Sequence, residues 1–281
     1  MKRLIINADD VGFSDAVNGA ARKCLSSGGI TGVSVMACGE RFKEAAVMLR
    51  EVGQKEVGVH LTLTAGLHPA ADPREVEILL DDDGNFPKSY RELALKYFGG
   101  KLKEHHIYKE LSSQVKKVAG EGFTVTHIDS HEHVHMFPEV LQTVLAIAVE
   151  NEVPFVRLPL EGVSIAFKRF FLKDFARHSI LKFFTVGKKK QLTRLGLKSS
   201  DSFLGHFHAG RLTNDIFYSM LDRLSEGVTE LAVHPCERSE GFFRAHPWYS
   251  GTAIELDILT DPRLKEYTKE NDIHLIPHSA L

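Results

Sequence analysis

Eight short runs rich in Val, Ile and Leu recur along the chain, at 4–8, 32–36, 57–63, 125–128, 155–158, 203–206, 230–233 and 273–276. They lack the strict apolar-polar alternation of a half-exposed strand, so they suit strands buried on both faces, as in parallel sheets whose crossovers are helices. Amphipathic helical patterns between them cover 16–25, 42–52, 108–119 and 139–150, and Pro138 suits the first turn of the last of these. Eight such units predict an α/β fold: a distorted or incomplete (β/α) barrel, TIM-barrel-like, forming a single domain over 1–281. An open doubly wound sheet is the second choice, and its dinucleotide-binding version loses support because no Gly-x-Gly-x-x-Gly follows the first run.

Two connections are longer than a barrel needs, about 64–103 and 161–202, and both are expected to cover the active-site end. Asp81-Asp82-Asp83-Gly84 in the first reads as a turn, and Lys188-Lys189-Lys190 in the second as a solvated helix end. No internal repeat or linker marks a second domain.

Composition narrows the partners. Lys plus Arg (35) against Asp plus Glu (37) leaves a net charge of −2, so no global basic surface favours nucleic acid or anionic lipid. No apolar stretch is long enough for an integral membrane segment, and residues 1–10 are too polar for a signal peptide. Three widely spaced cysteines, Cys24, Cys38 and Cys236, argue against a disulfide framework and for a cytoplasmic, reducing setting. A small substrate fits best, and a homodimer is left open.

The 15 histidines matter through their placement. The first run ends in Asp9-Asp10, where a parallel barrel carries its reactive groups; alternation would point one acid at a metal and the other at substrate or water. The alternative is a helix N-cap pair ahead of Ser14 and Asp15. His60 closes the third run, and alone it would read as a core histidine. After the fourth run comes His127-Ile128-Asp129-Ser130-His131-Glu132-His133-Val134-His135, more imidazole and carboxylate than packing requires. If that segment stays extended, His131, His133 and His135 share one face. His234 follows the seventh run and could move a proton; Cys236 is a weaker soft-ligand candidate.

With Asn7-Ala8-Asp9-Asp10-Val11-Gly12, Gly58-Val59-His60-Leu61-Thr62, the 127–135 cluster and His234-Pro235 in this order, the chain resembles the YdjC-like carbohydrate deacetylases over nearly its whole length. That family includes chitooligosaccharide deacetylases and hopanoid-biosynthesis-associated members, and the resemblance implies a distorted (β/α) barrel that hydrolyses the acetamide of an N-acetylated amino sugar, on an oligosaccharide or a glycolipid. It also implies one divalent ion held by Asp10, His60 and His131, with Asp9 as general base and His234 as general acid. Asp129, His133, His135 and Arg157 are then expected to contact substrate or support those groups. The Asp-His-His set suits zinc, manganese, cobalt or nickel, and the resemblance adds magnesium.

Two other readings compete. A barrel phosphoesterase or amidohydrolase would place His-x-His after its first strand, where this chain has two aspartates. A non-catalytic metal- or carbohydrate-binding protein would keep the cluster and release no acetate.

Overall fold

The apolar runs become strands because their side chains have nowhere to go but inward: Leu4, Ile5, Ile6, Val57, Val59 and Leu231 are all fully buried. Burial of each such side chain contributes about 1.5–3 kcal/mol. In the computed structural model, which describes residues 1–162, 179 and 181–281, eight strands form one parallel sheet. They are β1 (Lys2–Val11), β2 (Gly32–Val35), β3 (Glu56–Leu61), β4 (Thr124–Ser130), β5 (Phe155–Val156), β6 (Ser202–Leu204), β7 (Gly227–Val233) and β8 (Ile273–Leu275).

The eight expected runs are these eight strands, and the way they close the sheet accounts for the distortion. The order is β5-β4-β3-β2-β1-β7-β6, with β8 off the path. β7 pairs with β1 directly, from Lys2↔Gly227 to Ala8↔Val233. β8 therefore does not separate them as in a regular barrel; it pairs with Lys2–Leu4 of β1, below the point at which β2 joins at Asn7. Among the described residues, β5 and β6 share no ladder, and the isolated bridges Phe155↔Lys198 and Glu161↔Phe203 connect the edges. The result is a curled seven-strand half-barrel with a loosely bridged side.

Helices α1 (Asp15–Ser27), α2 (Phe42–Glu51), α4 (Glu104–Ala119) and α5 (Pro138–Glu150) fall where the patterns put them, α4 starting one turn earlier on an exposed first turn. The cap of α1 is Ser14, whose Oγ accepts from Val17 N at 3.2 Å, so Asp9 and Asp10 are free of capping duty. Pro138 opens α5 as expected.

The connection 64–103 carries two 3-10 turns, Pro73–Glu75 and Glu77–Leu79, and α3 (Tyr90–Phe98). Its 81–84 stretch is a turn, closed by Gly84 N to Asp81 O at 3.1 Å. Buried Glu110 of α4 anchors its foot by accepting from Ala70 N (2.9 Å) and Ala71 N (3.0 Å), while Gln114 brackets Thr62 just past β3. Of the connection 161–202, residues 163–178 and 180 lie outside the described residues. Lys188–Lys190 form the first turn of the helix Lys188–Arg194, so the run stands at a helix end.

Candidate metal and catalytic site

Asp9 and Asp10 sit in a β-bulge. Along β1 the pairing runs from Ala8↔Val33 to Val11↔Val35, so three steps on β1 face two on β2. The extra residue puts Asp10 at φ +62, a left-handed conformation that costs a non-glycine residue about 1–3 kcal/mol. The bulge also breaks the alternation, so both carboxylates, not one, border the same cavity.

Asp10 Oδ1 lies 3.1 Å from His60 Nε2 and 2.9 Å from His131 Nδ1, bringing groups from β1, β3 and the segment after β4 to one point. Two donors on one tetrahedral ion at about 2.0–2.1 Å would stand roughly 3.3 Å apart, so the spacing fits a single cation. Asp10 and His60 are buried, and His131 is partly open to the cavity. Asp129 Oδ1 lies 2.8 Å from His60 Nδ1, the carboxylate support that fixes a ligating imidazole's tautomer. Burial would lower the His60 pKa, but the charges of Asp129 and Asp9 and the bonds to Asp10 and Asp129 carry it up to about 10. The Asp10 carboxyl is pulled the other way, well below its usual range, because the His131 and His60 interactions outweigh burial. Buried Tyr249 donates its hydroxyl to Asp10 Oδ2 at 2.7 Å and stacks on Phe13.

Beneath this triad Arg157, fully buried after β5, meets three carboxylates. It is bidentate to Asp9 (2.6 and 2.9 Å), and reaches Asp129 at 2.7 Å and Glu230 at 2.8 Å. Burial works to raise the Asp9 pKa, and the guanidinium prevails, holding it at about 2. Asn7 Nδ2 adds a 2.8 Å bond to Asp9 and another to Ser34, whose hydroxyl donates to Asp129. A second cluster, Asp9, His60 and Asp129, also has ligand spacing, but the Arg157 guanidinium already bonds both of its carboxylates and leaves no room for a cation. Gly58 makes this interior possible: a Cβ there would stand 2.1 Å from His127 Nε2 on the neighbouring strand.

The expectation of an extended 131–135 segment fails. Residues His131–Met136 form 3-10 turns with Glu132 and His133 in left-handed conformation, because the chain must leave the strand sharply to enter α5. The three histidines therefore part company. His131 stays at the triad, His133 lines the cavity against Phe203 (5.5 Å) and His206 (5.4 Å), and His135 turns into the core. There His135 Nε2 donates to Arg157 O at 3.0 Å, Ser130 lies 2.5 Å from Nδ1, and burial lowers its pKa to about 4. Asp129 and Arg157 are likewise away from the cavity, so their contacts are with Asp9 and His60.

His234 borders the cavity with Nε2 3.9 Å from Asp9 Oδ2 and its ring edge-on to Trp248 at 5.1 Å. Burial lowers its pKa, which the Asp10 and Asp9 charges only partly offset, so the ring is neutral at pH 7. Its backbone N–H donates to Glu255 at 2.6 Å. Cys236 is buried, with its pKa pushed up to about 12 by burial, and it stands outside the group formed by Asp10, His60 and His131.

The cavity measures about 940 Å³ and combines these groups with an aromatic wall that includes Phe13, Tyr90, Phe137, Phe203 and Trp248. Both long connections contribute, through Ala65, Lys88 and Tyr90 from one and Leu181 and Phe184 from the other. Sequence reasoning missed Glu230 and Tyr249. Glu230 was visible as an acid opening an apolar run, whereas nothing local to Tyr249 signals a partner 239 residues away.

A half-barrel that gathers Asp10, His60 and His131 within ligand spacing at the ends of its strands is a frame able to hold one cation. Residues 3–270 match the family described as YdjC-like protein, and the chain belongs to it. It is 30% identical to a carbohydrate deacetylase of Geobacillus stearothermophilus, over 98% of this chain and 96% of that one. It is 29% identical to a carbohydrate deacetylase of Brevibacillus brevis, over 99% of both. A crystal structure from Enterococcus faecalis V583, provisionally named a cellobiose-phosphate cleavage protein, superimposes with a TM-score of 0.81 at 25% identity, covering 99% of this chain and 98% of that one.

Proposed function

We propose that this chain is a metal-dependent hydrolase that removes the acetyl group from an N-acetylated amino sugar. In this reading Asp10, His60 and His131 hold one divalent ion, Asp9 takes a proton from water, and His234 delivers one to the sugar nitrogen. The observation that carries it is the convergence of Asp10 Oδ1, His60 Nε2 and His131 Nδ1 at the wall of a sugar-sized aromatic cavity. The chain is also matched over almost its full length by carbohydrate deacetylases.

A bound ion here supplies Lewis acidity, activating water and polarising the acetamide carbonyl. The remaining tasks fall to side chains. Tyr249 occupies Asp10 Oδ2, so Asp10 would offer a single oxygen to an ion; Asp129 holds His60 Nδ1, so Nε2 would be the nitrogen left to bind it. Arg157 keeps Asp9 ionised and able to accept a proton at Oδ2. A carboxylate this acidic holds that proton briefly, and the neutral imidazole of His234 is the better resting place for it. The proton count then closes: one leaves water at Asp9 and one reaches the departing nitrogen from His234 Nε2. The aromatic wall gives the sugar ring a face to stack on.

The two-imidazole, one-carboxylate set supports zinc ahead of magnesium, which prefers oxygen ligands. Three unpaired, buried thiols support a cytoplasmic, reducing setting, and no helix among the described residues is long and apolar enough to cross a membrane.

The test is acetate release from a panel of N-acetylated sugars before chelation, after it, and after metal is restored, with phosphate release from sugar phosphates as the counter-assay. No acetate from any sugar by the metal-loaded protein would end the deacetylase reading. Asp9→Asn should keep its metal and lose turnover by about 100- to 10,000-fold; retained turnover removes Asp9 as the base.

A further inference from the structure

We infer that the cavity rim at residues 181–198 docks this protein onto an anionic lipid surface. The sequence 163–198 is unlike the rest of the chain: it holds ten Lys and Arg against a single Asp, and six of the 18 Phe, in a protein of net charge −2. Its described part, 181–198, shows both halves of that pattern on the outside of the molecule. Phe183 is 79% exposed and Val186 57% exposed, with Leu195 also exposed. Lys182, Lys188 and Lys190 flank them with no carboxylate partner among the described residues, while Lys189 pairs with Asp201.

Helix stability does not explain the lysines. Lys188, Lys189 and Lys190 fill the first turn of Lys188–Arg194, the end at which the helix dipole disfavours cations. Nor does core packing explain Phe183 and Val186. Exposed apolar side chains ringed by unpaired cations match one kind of partner, an anionic surface with an apolar layer just beneath it. Leu160 extends the patch, sharing a small hollow with Thr185, Gly187 and Lys189. Aliphatic side chains such as Val186, Leu195 and Leu160 offer no ring for base stacking, which favours lipid over single-stranded nucleic acid.

The location connects the patch to the cavity. Phe183 neighbours Phe184 (5.5 Å), which lines the cavity with Leu181, and Phe137 and Tyr97 continue the row to the exposed Phe98. Docking by this rim brings the mouth to the headgroup layer, within reach of an amphiphilic substrate.

Co-sedimentation of the full chain with vesicles tests this without any turnover. Phosphatidylcholine vesicles should leave the protein in solution, and vesicles containing one-third phosphatidylglycerol should carry it down at low salt and release it as salt rises. The triple variant Lys182→Glu/Lys188→Glu/Lys190→Glu should bind those vesicles about 100-fold more weakly or worse. Phe183→Ser alone should weaken binding about 10-fold with little change in its salt dependence. Unchanged circular dichroism and melting temperature establish that each variant folds, and Phe183→Ser carries the test if the triple variant does not. The inference is overturned if the unmodified chain ignores anionic vesicles, if the folded variants bind as well as it does, or if oligonucleotide is captured in preference to lipid.

Discussion

The two walls of the cavity are built by different rules. On one side β7, β1, β2, β3 and β4 form a continuous ladder, and β1 alone pairs over seven successive positions with β7. This wall supplies Asp9, Asp10 and His60 to the cavity, and Asp129 and Glu230 to the buried network behind it. On the other side β5 and β6 are two and three residues long and, among the described residues, meet through isolated bridges alone. That wall supplies aromatic and aliphatic side chains, such as Phe184, Phe203 and Leu181, and one charged group of the buried network, Arg157. The difference assigns tasks: groups that need close placement come from the ladder, and the short strand β5, paired with β4 at two positions, is further braced to it by one guanidinium that meets three carboxylates.

Breaking that brace should have the largest effect. Arg157→Met leaves three carboxylates buried without their cation and should cost about 3–5 kcal/mol in urea unfolding, together with all turnover. A loss under about 1 kcal/mol would mean that the β5 side is held by packing alone.

Acid should loosen the second tie, His135 to the Arg157 carbonyl. With its pKa at about 4 in the folded chain and near 6.5 unfolded, His135 contributes stability that is full above pH 6.5 and is lost as pH falls toward 4. Between pH 7 and pH 5 this amounts to about 2 kcal/mol of unfolding free energy. His135→Asn should be less stable at pH 7 and show a shallower decline; an equally steep decline would place the acid sensitivity elsewhere.

Tyr249→Phe acts within the ladder wall alone. Freed of its hydroxyl partner, Asp10 should bind the ion about 10-fold less tightly, measured by competition against a chelating dye. Equal affinity would show that the bulge by itself sets the carboxylate. Smallest is Trp248→Ala on the rim, where loss of a stacking face should raise KM a few-fold, corresponding to about 1 kcal/mol, with kcat little changed. A fall in kcat instead would show that the indole positions His234.

The strands were legible because buried parallel strands must be apolar along their whole length, a signal confined to a few neighbouring residues. His60, His131 and His234 were legible for the same reason, as polar groups at the ends of apolar runs. The bulge at Asp9-Asp10 was not: it exists only relative to β2, and alternation along one strand predicts opposed side chains. The left-handed turn at Glu132 and His133 was hidden because neither residue type announces it. The three carboxylates on Arg157 come from three other strands, so their meeting depends on the curl of the sheet. The displacement of β8 was equally invisible, since its own residues read like those of any closing strand.

That displacement has a cost at the floor of the half-barrel. With β8 drawn to the far edge of β1, the underside is stoppered by two rings: His278 lies on His127 at 3.5 Å and 14°, and reaches toward Glu230 at 3.4 Å. One of the two rings, His278, comes from the turn His278–Ala280 that follows β8. Losing that ring would let solvent seep in below Arg157 while every residue at the mouth stayed in place. A change at His278 would then disturb the chemistry from underneath, with the substrate entrance unaltered.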